Sequence, residues 1–246
     1  MKTFEQEVNE RVVANDKNPN LRSDAAAFMK SSLDAQYSYN FSWLGRPIIQ
    51  YPQDLVALQE IIWRVQPDLI IETGIAHGGS LIFSASMLEL NAACGGTPDA
   101  EVLGVDIDIR AHNRSAIEAH PLFKRISLIQ GSSVAPDVVE QVKNKAAGKK
   151  RILLFLDSNH THEHVLNELE AYAQLTSVGS YCVVFDTIVE DTSEQCPSDR
   201  PWGKGNNPKT AVCQYLKTHS EFEIDKYIDN KLLISVAPDG FLKRVR

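Results

Sequence analysis

Asp157 and His160 share one short stretch, Asp157-Ser158-Asn159-His160, directly after the apolar run RILLFL. A carboxylate and an imidazole held this close suit proton removal from a hydroxyl, because histidine is the usual base near neutral pH. A second apolar run, SYCVVF, ends in Asp186. Two carboxylates plus water suit a hard divalent ion such as Mg²⁺, which needs few protein ligands. His162 and His164 make three histidines in five residues and invite a rival reading, a metal-dependent hydrolase using the His160–His164 cluster. Dinuclear zinc hydrolases carry HxHxDH, one residue longer than the HTHEH found here, and a missing residue swings the ligands apart. His162 and His164 are expected to open a helix and to face solvent or support the turn.

A second group of residues suits a nucleoside-like ligand. Glu72-Thr73-Gly74-Ile75-Ala76-His77-Gly78-Gly79-Ser80 is a glycine-rich turn between an apolar run and a helical stretch. Glycines there let a ligand approach the backbone. The spacing GxxxGG is neither the GxGxxG of dinucleotide sites nor the GxxxxGK[ST] of phosphate loops. An acid ahead of such a turn suits a cationic, non-phosphorylated ligand, with Glu72 meeting its positive group. The candidate cofactor-binding residues of this turn are Glu72, Gly74, His77, Gly78, Gly79 and Ser80. Asp106 ends the next apolar run, EVLGVD, where an acid can accept both hydroxyls of a ribose. Ser132 and Ser133 follow the third run and can border an adenine.

These residues need strand ends to hold them. Short apolar runs alternate with helical stretches from residue 54 to residue 186: DLIIE, EVLGVD, RISLIQG, RILLFLD and SYCVVFD read as strands. Near-continuous apolar strands separated by helices predict a parallel sheet covered on both faces. Residues 1–50 read as a helical N-terminal extension able to act as a lid, and 51–246 as the main domain. Residues 187–208, rich in Pro, Gly and Asn, read as a long loop, and loops of that length are usually functional or disordered. FEIDKYI and KLLISVA predict an antiparallel hairpin turning at Asp229-Asn230.

Composition narrows the function. The 246 residues carry 25 basic and 32 acidic side chains, a formal charge of −7, with no basic block. A nucleic-acid partner is therefore not expected. No apolar run reaches membrane-spanning length, and the N-terminus lacks the basic and apolar regions of a signal peptide. Cys94, Cys182, Cys196 and Cys213 show neither CxxC spacing nor disulfide density, which predicts reduced thiols and a cytoplasmic protein.

The motifs ETGIAHGGS, GVDID and FLDSNH resemble those of the cephalosporin-hydroxylase-like family of class I S-adenosylmethionine-dependent O-methyltransferases, which includes macrolide-sugar enzymes. The resemblance runs from about Asp54 to Ile188. The closing stretches RPWGKGNNPKTAV and LLISVAPDGFLKR look like the family's bacterial polysaccharide-associated branch. It implies an α/β, Rossmann-like fold with a mostly parallel seven-stranded sheet, helices on both faces and a C-terminal antiparallel hairpin. It further implies that Glu72, Gly74 and Gly78 hold the methionine part of S-adenosylmethionine and that Asp106 holds its ribose. Asp157 would border the cofactor and ligate Mg²⁺ with Asp186, and His160 would be the base. Where the family carries two adjacent acids, this chain has Phe185 before Asp186, which removes one ligand; Glu190 and Asp191 follow nearby.

The expected reaction is methyl transfer to a hydroxyl of a sugar or glycoside, with a small molecule or glycan as substrate. Trp202 can stack on a sugar face, while Lys204, Asn206 and Asn207 can bond its hydroxyls; the alternative is a connector anchored by Trp202. The rival to an enzyme is a non-catalytic nucleoside-binding module. The N-terminal extension and the edge hairpin are candidate surfaces for a homo-oligomer.

Overall fold

Three of the apolar runs become strands buried along their whole length: β3 (Leu69–Thr73), β6 (Ile152–Leu156) and β7 (Tyr181–Val184). The computed structural model describes residues 1–192 and 199–246. Cys196 and Pro197, in the expected long loop, lie outside the described residues. The seven-stranded sheet runs β5–β4–β3–β6–β7–β9–β8, with β4 at Glu101–Asp106, β5 at Ile126–Gln130, β8 at Phe222–Ile224 and β9 at Phe241–Arg244. Strands β5 through β7 are parallel, and β9 is antiparallel to both β7 and β8.

Side chains alternate across the sheet, and each face finds its own cover. Ile70, Leu153 and Phe155 pack with α3 (Pro52–Val65) and α4 (Gly79–Ala93). Ile71, Leu154 and Leu156 face the other way, onto α6 (Pro136–Ala146), α7 (His162–Tyr172) and α8 (Pro208–Tyr215). The short α5 (Ala111–Glu118) crosses between β4 and β5. Burial on both faces is why these strands lack the polar alternation of a half-exposed sheet.

The N-terminal stretch forms α1 (Phe4–Asp16) and α2 (Pro19–Asp34), then a two-stranded hairpin of β1 (Phe41–Trp43) and β2 (Arg46–Ile48). Each helix opens on a side-chain cap, Thr3 or Asn18. The C-terminal hairpin exists, but its turn is not at Asp229-Asn230. Asp225 accepts the Tyr227 N–H and starts α9 (Lys226–Leu232), so FEIDKYI leaves the strand after Ile224. The second strand is Phe241–Arg244 rather than KLLISVA. A side-chain cap there outweighs the β-propensity of the apolar run. Among the described residues no helix is long and apolar enough to cross a membrane.

Candidate active site

The chain runs outward from β3 through β4 to β5, then returns to β6 on β3's other side. That reversal leaves a crevice at the carboxyl ends of β3 and β6, where open α/β sheets bind ligands. The two strand ends are held close: the Asp157 N–H donates to the Thr73 carbonyl at 2.9 Å. Gly74 has φ +81, and a Cβ there would come within 2.1 Å of the Asp157 carbonyl oxygen. The neighbouring strand end alone requires glycine at this position.

Glu72 of β3 is 2% exposed and lines a small cavity with Gln50, Ser80, Asp157 and Phe185. One oxygen accepts from Ser80 Oγ; the other, Oε2, is buried without a partner. Burial pushes its carboxyl up to about 8. A cation placed on that free oxygen would favour the ionised form. Arg46 of β2 fixes the far side of the turn, donating to the His77 carbonyl at 2.6 Å and to Asn113 Oδ1 at 3.1 Å. At Gly79 the missing Cβ makes room for the Pro47 carbonyl of the hairpin, and at Gly78 for the Ile117 side chain. These two glycines answer to packing.

Asp106 is oriented by two backbone donors, Ile75 N–H and Asp108 N–H, both at 2.9 Å. It shares a cleft with Gly74, Ile107, Ser132, Ser133, Ser158 and Asn159. Ile107, directly after the acid, is 72% exposed and offers an apolar face beside it. Beneath, His164 Nε2 lies 3.1 Å from Ser133 Oγ and 3.0 Å from Ser158 Oγ, and Ser158 donates to the fully buried Glu168 at 2.7 Å.

Beyond this pocket Asp157, His160 and Asp186 converge, with ligand atoms all within 4.8 Å of one another. His160 Nε2 is 3.0 Å from Asp186 Oδ2. Asp186 adopts φ 53, which turns the chain sharply off β7 into the helical turn Thr187–Glu190. Asp157 receives a weak contact from Gln50 Nε2 at 3.4 Å. Burial, then the charges of Asp186, Glu72, Glu168 and Asp54, hold its carboxyl well above the usual range. Phe185 is 3% exposed and packs edge-on against Phe155, closing the site's floor with hydrocarbon. Trp202 meets the His160 ring edge-on, centroids 4.7 Å apart.

The other two histidines do not join this cluster. His162 is bound to α8, through Thr210 Oγ1 at 2.7 Å and Gln214 Oε1 at 3.0 Å, and His164 belongs to the serine network. With three separate sets of partners, the His160–His164 run is not the ligand set of a metal hydrolase. Glu190 and Asp191 are not third ligands either. Glu190 accepts from Gly205 N–H and Asn207 Nδ2, and Asp191 pairs with Lys209. Of the expected substrate contacts, Trp202 reaches His160, whereas both asparagines pin the loop. Asn206 Oδ1 accepts the first N–H of α7 at 2.9 Å, and the fully buried Asn207 caps α8. Asn207 therefore has no face left for a sugar hydroxyl.

The family model for Rhamnosyl O-methyltransferase/CmcI matches residues 35–245. The chain belongs to this family. It is 31% identical to the rhamnosyl O-methyltransferase of Mycobacterium leprae (strain TN) over 208 residues, 82% of each chain. Against the Mycobacterium tuberculosis (strain ATCC 25618 / H37Rv) enzyme of the same name it is 34% identical over 196 residues, 78% of this chain and 73% of that one. Among solved structures it resembles the Mg–SAM form of CmcI (TM-score 0.57, 21% identity, 85% of this chain and 78% of that one). It also resembles the O-methyltransferase from Bacillus cereus in complex with SAH (TM-score 0.52, 15% identity, 81% of each).

This family member is thus an S-adenosylmethionine-dependent O-methyltransferase with the class I sheet. Two residues near the site, Ile107 and Asp54, escaped the sequence. Ile107 had a signal, an apolar residue just past a strand-end acid. Asp54 had none: in sequence it is only a first-turn helix acid, but it is fully buried and accepts from Val236 N–H at 3.0 Å.

Proposed function

We propose that the protein transfers the methyl group of S-adenosylmethionine to a hydroxyl of a sugar, with His160 taking the proton. The observation that supports this reading is the convergence of His160, Asp157 and Asp186, with Asp157 lining one small cavity with Glu72 and the Asp106 cleft lying alongside. S-adenosylmethionine supplies an already activated methyl group, so the protein's tasks are alignment and proton removal. Glu72 receives the cofactor's ammonium, and Asp106 receives the ribose hydroxyls. Ser132, Ser133 and Ile107 border the base. Trp202 walls the acceptor side and orients a sugar against His160. The Asp186 carboxylate stabilises the imidazolium that forms when His160 accepts the proton. The relatives' printed activity, rhamnosyl O-methylation, makes a rhamnose-like sugar the first acceptor to test.

The donor set also fits Mg²⁺. Asp157 and Asp186 offer hard oxygens amid an excess of negative charge, and Mg²⁺ commonly takes only one or two carboxylates. When bound, it would polarise the acceptor hydroxyl. Phe185 limits the protein's share to these two carboxylates.

Calorimetric titration with S-adenosylmethionine, with Mg²⁺ and again with EDTA, tests the cofactor half. Transfer of labelled methyl to methyl α-L-rhamnoside tests the acceptor half. Micromolar binding and label on the sugar are expected; no binding in either buffer sinks the reading.

A further inference from the structure

A second, larger cleft of about 940 Å³ lies between α2, the Thr187–Glu190 turn and α9. It is at the upper end of ligand-pocket sizes, far more than one sugar ring needs. Among the described residues five acids and five bases line it, so their charges balance. Most are joined into a ladder. Lys209 reaches Asp191 at 2.7 Å and Asp239 at 3.2 Å, and Lys226 bonds Asp239 and lies 3.5 Å from Asp229. On the facing wall Arg22 pairs with Asp16 at 3.1 Å, and Ala26 and Ala27 leave open space.

A phosphate group would need net positive charge, and a lipid tail a continuous apolar wall. Alternating donors and acceptors at zero net charge, interrupted by small apolar groups such as Ala26, Ala27 and Pro238, match a polyol. Its hydroxyls both donate and accept, and its C–H faces pack on small side chains. The cleft is connected to the reacting centre through the turn that leaves β7. Ile188 and Glu190, which line it, follow Asp186 within one helical turn. Lys204, also in its wall, sits in the tight turn closed by the Gly203–Asn206 pair, two residues after Trp202. Moreover, α2 precedes residues 35–245, so one wall comes from outside the segment the family model covers.

We infer that this cleft is the subsite for the part of the acceptor beyond the methylated sugar, and that the acceptor is a neutral glycan of two or more sugars. The inference rests on the methyl-transfer reading above. α2 is then the wall that selects among acceptors.

The test titrates three probes into the full-length protein saturated with S-adenosylhomocysteine: methyl α-L-rhamnoside, a neutral rhamnose-terminated trisaccharide, and UDP-glucose. The trisaccharide is expected to bind about tenfold or more tightly than the monosaccharide, and UDP-glucose no tighter than either. Ala27→Trp, at an exposed helix position, fills the cleft and should bring the trisaccharide down to the monosaccharide's affinity. Ala27→Ser should leave the preference intact, and both variants should keep their affinity for S-adenosylhomocysteine. Equal binding of the two neutral sugars, no binding of any probe, tightest binding of UDP-glucose, or a preference that survives Ala27→Trp each overturns the inference. Failure to bind S-adenosylhomocysteine would instead remove the methyl-transfer reading, and this inference with it.

Discussion

His160→Ala removes the only imidazole at the Asp157–Asp186 cluster among the described residues, while Glu72 and Asp106 stay in place. Turnover should fall by about 10²–10⁴ with cofactor affinity unchanged, measured as kcat against the S-adenosylhomocysteine Kd. Unchanged kcat would end the base assignment. Glu72 allows a thermodynamic check. Its carboxyl titrates near 8 in the free protein, so it is protonated at pH 7. An ammonium seated on its free oxygen favours the ionised form, so binding must expel that proton. Calorimetry at pH 7 in two buffers of different ionisation enthalpy should show release of about one proton per S-adenosylhomocysteine. Glu72→Gln should abolish the release; a buffer-independent enthalpy in the unmodified protein would refute the contact.

Asn207 ties three elements together: it caps α8, bonds the Gly203 carbonyl at 2.8 Å and holds Glu190 of the turn after β7. Asn207→Ala should lower stability by about 1–2 kcal/mol, seen as a Tm drop of a few degrees. No shift would mean the cap contributes nothing. The parallel strands were legible because burial on both faces leaves an unbroken apolar signature, as in RILLFL. The acids at the carboxyl ends of those strands, Glu72, Asp106, Asp157 and Asp186, were legible because a polar group ending such a run has one place to go. Asn207 turns inward instead, because capping and sugar binding call for the same side chain and here the cap of α8 takes it. The C-terminal strand was misplaced because the Asp225 cap acts over two residues, below the reach of an apolar pattern.

Charge is distributed unevenly over the whole molecule. Asp54 and Glu72 are fully or almost fully buried, and burial raises their carboxyls to about 7 and about 8. Folded values above the unfolded ones mean that the native state holds extra protons between about pH 4 and pH 8. Stability is expected to fall as pH rises through that window, with each group contributing on the order of a few kcal/mol. The ligand-free protein should therefore melt lower at pH 8 than at pH 5.5, and Asp54→Asn should reduce the difference. A Tm that rises over this range would contradict the burial of both groups. None of this was visible in sequence, since the burial of Asp54 depends on α3 meeting the 235–237 segment across the fold.

The edge-on contact of Trp202 with His160 gives the enzyme an optical reporter of its own chemistry. A charged imidazolium is an efficient quencher of indole emission at such short range, and a neutral imidazole is much weaker. With Trp43 and Trp63 replaced by Phe, the remaining emission would follow the charge on His160. If His160 takes the proton as proposed, each methyl transfer would then register as a flicker of light, readable in a stopped-flow cell before any product is identified.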